Sequence, residues 1–355
     1  MRHPSAMSAP APPDSATPWD RAWQEALYAA DGFYRQGAPA AHFATSAQGI
    51  PGAGPLLAEA VVALAHRHGC DRVVDVGCGR GELLAQVRTL DASLHLTGVD
   101  VVPRPSTLEV DAWLVSPGGA ALPRGLRDLE RTLVVAHEWL DVVPCPVVAR
   151  DDAGVWRSLD VAPDGTEELG PVVHGEDLAW VRRWLDDGPG RAEDRAPDRR
   201  GEVGRPREAA LADLLGRVRS GLVVVVDYGH TADDRPRGGT LTGFRAGREV
   251  APVPDGTCDL TAHVAVDALL ASLGTSPATD PPQLVRQREV LHDLLGDPGP
   301  PVPHALARTD PQAYLDALAR RAALTTLTSG ALGDFWWLLV PVGAQPGDGR
   351  DPGIG

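Results

Sequence analysis

A chain of 355 residues with 43% hydrophobic residues is long enough to bury a full core, which excludes disorder throughout. Its formal charge of −15 excludes the accumulated positive charge by which proteins hold nucleic acid or an anionic membrane surface, so a basic or neutral partner is expected. All 33 basic residues are arginine and asparagine is absent, which removes a P-loop lysine, a Schiff-base lysine and an N-glycosylation acceptor together.

Residues 1–18 are rich in Pro, Ala and Ser and lack the apolar stretch of a secretory signal, so they read as a flexible tail of a cytoplasmic protein. Apolar residues then recur at helical spacing from Trp19 to Tyr34, with the pattern stopping at Gly32. The loop that follows carries His42, Phe43, Thr45 and Ser46, expected to form a lid over a ligand, with Thr45 and Ser46 contacting it, or to serve loop packing alone. "GPLLAEAVVALAHRHG" predicts a helix ending at Gly69, which feeds the strand "RVVDVG". Further strands are predicted at "LHLTGVD", ending at Asp100, at "RTLVVAHEW", ending near Glu138, at "GLVVVVDYG", ending at Gly229, and at "GDFWWLLVPVG". These runs are nearly continuous in Val and Leu, as parallel strands buried on both faces require. "WRSLDVAPDG" reads as a hairpin and "EDLAWVRRWLDDG" as a helix, and residues 189–206, almost without apolar content, read as a mobile surface loop.

The alternation of helix, strand and glycine turn predicts an α/β fold with a doubly wound, Rossmann-like sheet. Its expected layout is a tail (1–18), an N-terminal helical segment with the lid (19–71), a ligand-binding core (72–150), a large insertion (151–217) and the remainder of the core with substrate-side elements (218–355). Cys70, Cys78, Cys145 and Cys258 are widely spaced without a CxxC pair, so neither a metal site nor a disulfide framework is expected. No run of about 18 apolar residues exists to span a bilayer.

In "VVDVGCGRGELL" the glycines are Gly77, Gly79 and Gly81, and Glu82 stands where a dinucleotide fingerprint would place its third glycine. The spacing is wrong for a pyrophosphate. G-x-G-x-G after a strand carrying Asp75 is instead the pattern by which Rossmann-like methyltransferases hold S-adenosyl-L-methionine, with glycines admitting the cofactor close to the backbone and a helix N-terminus facing its carboxylate. Asp100, at the tip of the next strand, supplies the acceptor that the ribose hydroxyls need.

"HEWLDVVP" resembles the N-E-F-x-D-A-L-P signature of the family containing MidA and the mitochondrial complex I assembly methyltransferases. "GFYRQGAPAAHFATS", "VVVDYGH", "GTLTGFRAGR", "CDLTAHVAVDAL" and, more faintly, "LVRQREVL" resemble further blocks of that family in matching order, over roughly residues 32–343. His137, Ala44 and Ala265 depart from its pattern, and residues 101–122 lack its S-P-x-L-R-x-x-Q run. The resemblance implies a class I methyltransferase sheet, S-adenosyl-L-methionine as cofactor and a protein substrate, with arginine as the methylated side chain.

Methyl transfer is an in-line displacement, so the enzyme must align the nucleophile and help it lose a proton; no metal is needed. Paired carboxylates suit a guanidinium, which they can grip and deprotonate. Glu138 and Asp141 supply such a pair at the carboxyl end of a strand, with a turn cap and a solvated acid as the structural alternatives. His263 is expected as a base, a substrate contact or a backbone-bonded core histidine. Asp227 and Tyr228 are expected to line the substrate pocket, and Asp259 reads as the N-cap of a helix beginning near Thr261. A non-catalytic assembly adaptor and a small-molecule methyltransferase stay open as alternatives.

Overall fold

The computed structural model describes residues 16–36, 52–186, 199–274 and 280–343. The apolar runs form one seven-stranded sheet: β1 (Arg72–Val76), β2 (His95–Asp100), β3 (Ala112–Val115), β4 (Thr132–His137), β5 (Gly221–Asp227), β6 (Gln283–Arg286) and β7 (Trp336–Val342). Their order is β3-β2-β1-β4-β5-β7-β6; the first five are parallel, and β7 runs antiparallel to both of its neighbours. The expected doubly wound α/β sheet is present. β3 and β6 were not anticipated, because each is a four-residue edge strand without a continuous apolar run.

Strand alternation splits the core into two layers. Leu133 and Val135 of β4, with Leu222, Val224 and Val226 of β5, pack under the helices Ala53–Arg67, Glu82–Leu90, Gln287–Leu295 and Pro311–Thr328. Val134, Ala136, Val223 and Val225 point to the opposite face, against Arg205–Gly216 and Val266–Ser272.

A third apolar cluster covers the carboxyl end of the sheet. The first helix runs from Trp19 to Tyr28 rather than to Gly32, and a separate short helix spans Phe33–Gln36. Trp19, Trp23 and Leu27 pack against Val142, Val147, Leu159, Val161 and Leu260. The Trp23 indole N–H donates to the Leu260 carbonyl at 3.0 Å, which fixes the helix over the sheet.

The insertion folds as an antiparallel sheet in which Trp156–Val161 and Glu167–Val172 make the predicted hairpin, joined by Val147–Arg150 and Arg200–Glu202. Two sequence expectations change here. Thr17 and Pro18, assigned to the tail, pair with Val161 and Asp160. The supposed loop 189–206 is ordered from 199 onward, because Glu202 and Val203 are buried and Arg205 opens a helix with Pro206 in its first turn. Residues 187–198 lie outside the described residues, as do His42, Phe43, Thr45 and Ser46 of the expected lid. No helix among the described residues is long and apolar enough to cross a membrane.

Candidate active site

Strand order reverses between β1 and β4, so the loops leaving their carboxyl ends diverge and leave a crevice. A cavity of about 940 Å³ occupies it, reaching from the turn after β1 to the loop after β4.

The β1 turn is built as its glycines suggested. Gly77, Gly79 and Gly81 have φ of 75°, 58° and 81°, in the left-handed region that a side chain disfavours. At Gly77 a Cβ would meet only Trp139 at an ordinary 3.6 Å, so conformation rather than crowding requires glycine there. The Gly79 N–H donates to Asp100 Oδ2 at 2.7 Å and the Val102 N–H to Oδ1 at 3.2 Å, which locks the turn to the tip of β2. The carboxylate keeps acceptor capacity for a ligand hydroxyl. Asp75 lies buried behind the turn, where desolvation, with Asp100 and Glu82 adding repulsion, raises its carboxyl to about 8; burial raises Asp100 to about 6. Buried acids held above their usual range favour a positively charged group beside them. A cofactor carrying an ammonium, a sulfonium and a ribose diol fits this end.

Glu138 follows β4 with φ 53°, a conformation rare for a non-glycine residue and held by its N–H donating to Val226 O at 2.8 Å. The Tyr228 hydroxyl donates to Glu138 Oε2 at 2.7 Å, and His137 Nδ1 lies 3.4 Å from Oε1. Burial lowers His137 to about 4, so the ring is neutral at pH 7. Asp141 is not solvated: it is 2% exposed, and its Oδ2 accepts the Thr261 hydroxyl at 2.6 Å. His263 stands at the cavity with its residue exposed and its ring 5.8 Å from that of Tyr228, which rules out a core histidine.

Two sequence expectations fail at this end. Asp227 is 2% exposed and does not line the cavity; its Oδ2 accepts the Leu140 N–H at 3.0 Å behind the wall, because the last residue of a buried strand turns inward while Tyr228 turns out. Asp259 caps no helix: Asp259–Thr261 is a strand paired with Thr242–Phe244, and the next helix begins at Val266. Asp259 instead lines the cavity and accepts the Tyr34 hydroxyl at 2.7 Å, with burial raising its carboxyl to about 8.

Sequence reasoning missed Arg207. Its guanidinium, 2% exposed, donates to the carbonyls of His263 (2.7 Å), Asp141 (2.9 Å) and Val143 (3.4 Å), joining the loop after β4 to the segment carrying His263. A signal existed: Arg207, Ala210, Leu211 and Leu214 share one helical face, so the arginine sits on the buried stripe. Charge is distributed unevenly along the cavity. Arg35, Arg80 and Arg104 line it on the β1 and β2 side, whereas Glu138, Asp141, Asp259 and Glu249 line the other end, where none of the described lining residues is an arginine.

Residues 112–278 match a protein-family model described as "Putative S-adenosyl-L-methionine-dependent methyltransferase". The fold is similar to that of a COG1565 superfamily member from Burkholderia thailandensis bound to S-adenosyl-homocysteine: TM-score 0.72 and 22% identity, covering 92% of this chain and 88% of that one. A native structure of a COG1565 superfamily protein from Burkholderia thailandensis gives TM-score 0.69 and 22% identity over 92% and 87% of the two chains. No curated protein matches this sequence.

Proposed function

We propose that the protein is an S-adenosyl-L-methionine-dependent methyltransferase whose substrate is a protein side chain, with an arginine guanidinium as the methyl acceptor. The carrying observation is that one cavity joins the left-handed glycine turn and Asp100 to the paired acids Glu138 and Asp141. The matched family model and the ligand in the similar structure support the cofactor.

When bound, S-adenosyl-L-methionine supplies an electrophilic methyl group on a sulfonium. Asp100 would accept from the ribose hydroxyls, and Gly77, Gly79 and Gly81 would let the backbone approach the cofactor. Glu138 and Asp141 accept the N–H groups of a cationic nucleophile, fixing its orientation and drawing charge away from the attacking nitrogen. Tyr228 holds Glu138 through its 2.7 Å hydrogen bond, which restricts the carboxylate before substrate arrives. As the nitrogen gains the methyl group it loses one proton to a carboxylate oxygen of this pair. The acidic end of the cavity favours a guanidinium over a neutral or anionic acceptor.

The test incubates the protein with radiolabelled S-adenosyl-L-methionine and lysate of its host, alongside Glu138→Ala, and maps the labelled residue. Label on protein arginine that is lost in the variant supports the reading. No labelled protein with wild type, combined with partner assembly that survives Glu138→Ala, establishes the adaptor alternative.

A further inference from the structure

Asp141 Oδ1 and Asp227 Oδ1 are both buried without a hydrogen-bond donor. The other oxygen of each is satisfied, by the Thr261 hydroxyl and by the Leu140 N–H respectively. Asp227 is hydrogen-bonded to Leu140, the residue next to Asp141, so the two orphaned carboxyl oxygens share one buried region, where a single proton between them would satisfy both. Two fully buried carboxylates sharing one region cannot both ionise at neutral pH. Arg207 is nearby, but its N–H groups go to backbone carbonyls and not to either acid.

We infer that Asp227 is a neutral carboxylic acid that donates a hydrogen bond to the Asp141 carboxylate, and so positions Asp141 and the loop carrying Glu138 without touching substrate. For catalysis this rests on the methyltransferase reading; for the protonation state it does not. Asp227 accepts from Leu140 with one oxygen and donates to Asp141 with the other, so it fixes the loop through a backbone atom and a side-chain atom at once. The groups facing the pair agree with the assignment. Glu138 adds negative charge, Asp259 is itself an acid, and Tyr228, Tyr28, Tyr34, His137 and His263 interact electrostatically with Asp141. Arg207 offsets part of that charge, yet burial and the neighbouring acids hold Asp227 well above the usual carboxylate range.

Asparagine reproduces a neutral acid here: its carbonyl can accept from Leu140 and its amide can donate to Asp141. Three readouts test the assignment in the full chain. In infrared spectra at pH 7, Asp227→Asn should lose a neutral carboxylic-acid C=O band that wild type shows. An acid kept neutral when folded but ionised when unfolded costs stability as pH rises above about 4, so the melting temperature of Asp227→Asn should gain on wild type between pH 4 and 8. Asp227→Asn should keep kcat within about threefold, whereas Asp227→Leu should lower it tenfold or more at little changed cofactor affinity. An unchanged band, or an asparagine variant that loses melting temperature relative to wild type as pH rises, would overturn the protonation assignment. A turnover loss in Asp227→Asn as large as in Asp227→Leu overturns the positioning role. If wild type transfers no methyl group, the methyltransferase reading fails while the infrared and melting measurements still decide the protonation state.

Discussion

Replacing Arg207 by methionine removes the guanidinium while keeping an apolar stem in the same space, and it isolates the strut that joins the two acid-bearing segments. Two of its three hydrogen bonds are 2.9 Å or shorter and the third is 3.4 Å. Charged hydrogen bonds contribute roughly 1.5–3 kcal/mol each, so the two short ones set a gross loss of about 3–6 kcal/mol. Methionine recovers part of this, because no charge then has to be desolvated beside Trp23, whose ring lies 5.9 Å from the guanidinium carbon. The net destabilisation should be about 3 kcal/mol, equivalent in a chain of 355 residues to a melting temperature lower by about 4 °C. Urea and thermal unfolding followed by circular dichroism measure it. Cofactor affinity by calorimetry should hold, because the Arg207 hydrogen bonds go to the carbonyls of Asp141, Val143 and His263 rather than to the β1 turn. A loss below about 1 kcal/mol would refute the argument that these three carbonyls depend on the guanidinium.

Glu138→Gln keeps the shape of the side chain but removes its charge, so cofactor should bind normally while kcat falls by roughly 10² or more; normal turnover in a methyl-transfer assay would remove Glu138 from the chemistry. Asp100→Asn keeps one acceptor oxygen and loses the charge, so cofactor binding should weaken by about 1–3 kcal/mol in calorimetry, and unchanged affinity would mean that another group holds the ribose. His137 is buried neutral with its pKa lowered to about 4 from 6.5. Its contribution is therefore present above pH 6.5 and lost as pH falls from 6.5 to 4, by about 3 kcal/mol in all at roughly 1.4 kcal/mol per pH unit. His137→Asn should flatten that part of the stability profile, and an unaltered slope in paired pH titrations of unfolding would show that the histidine is not held neutral.

The primary structure determined on its own whatever depends on local pattern. Runs such as Leu222–Val226 can only be strands buried on both faces, and Gly77, Gly79 and Gly81 stand where φ must turn positive. Asp100 follows from the same rhythm, because an acid at the end of a parallel strand lies on the ligand side of the sheet. Glu138 and Asp141 were legible as a pair by the same rule, but their partners were not. Tyr34 meets Asp259 from 225 residues away, and Tyr228 meets Glu138 across 90. Such contacts depend on how separate segments stack over one end of the sheet, which no local spacing encodes. Asp259 shows the limit clearly: an acid before an apolar run reads as a helix cap, yet pairing with Thr242–Phe244 draws the segment into a strand, because tertiary pairing outweighs the local preference for a cap. Asp227 and Tyr228 are neighbours on one strand end, and only the pleat decides that one faces the cavity while the other turns inward to Leu140.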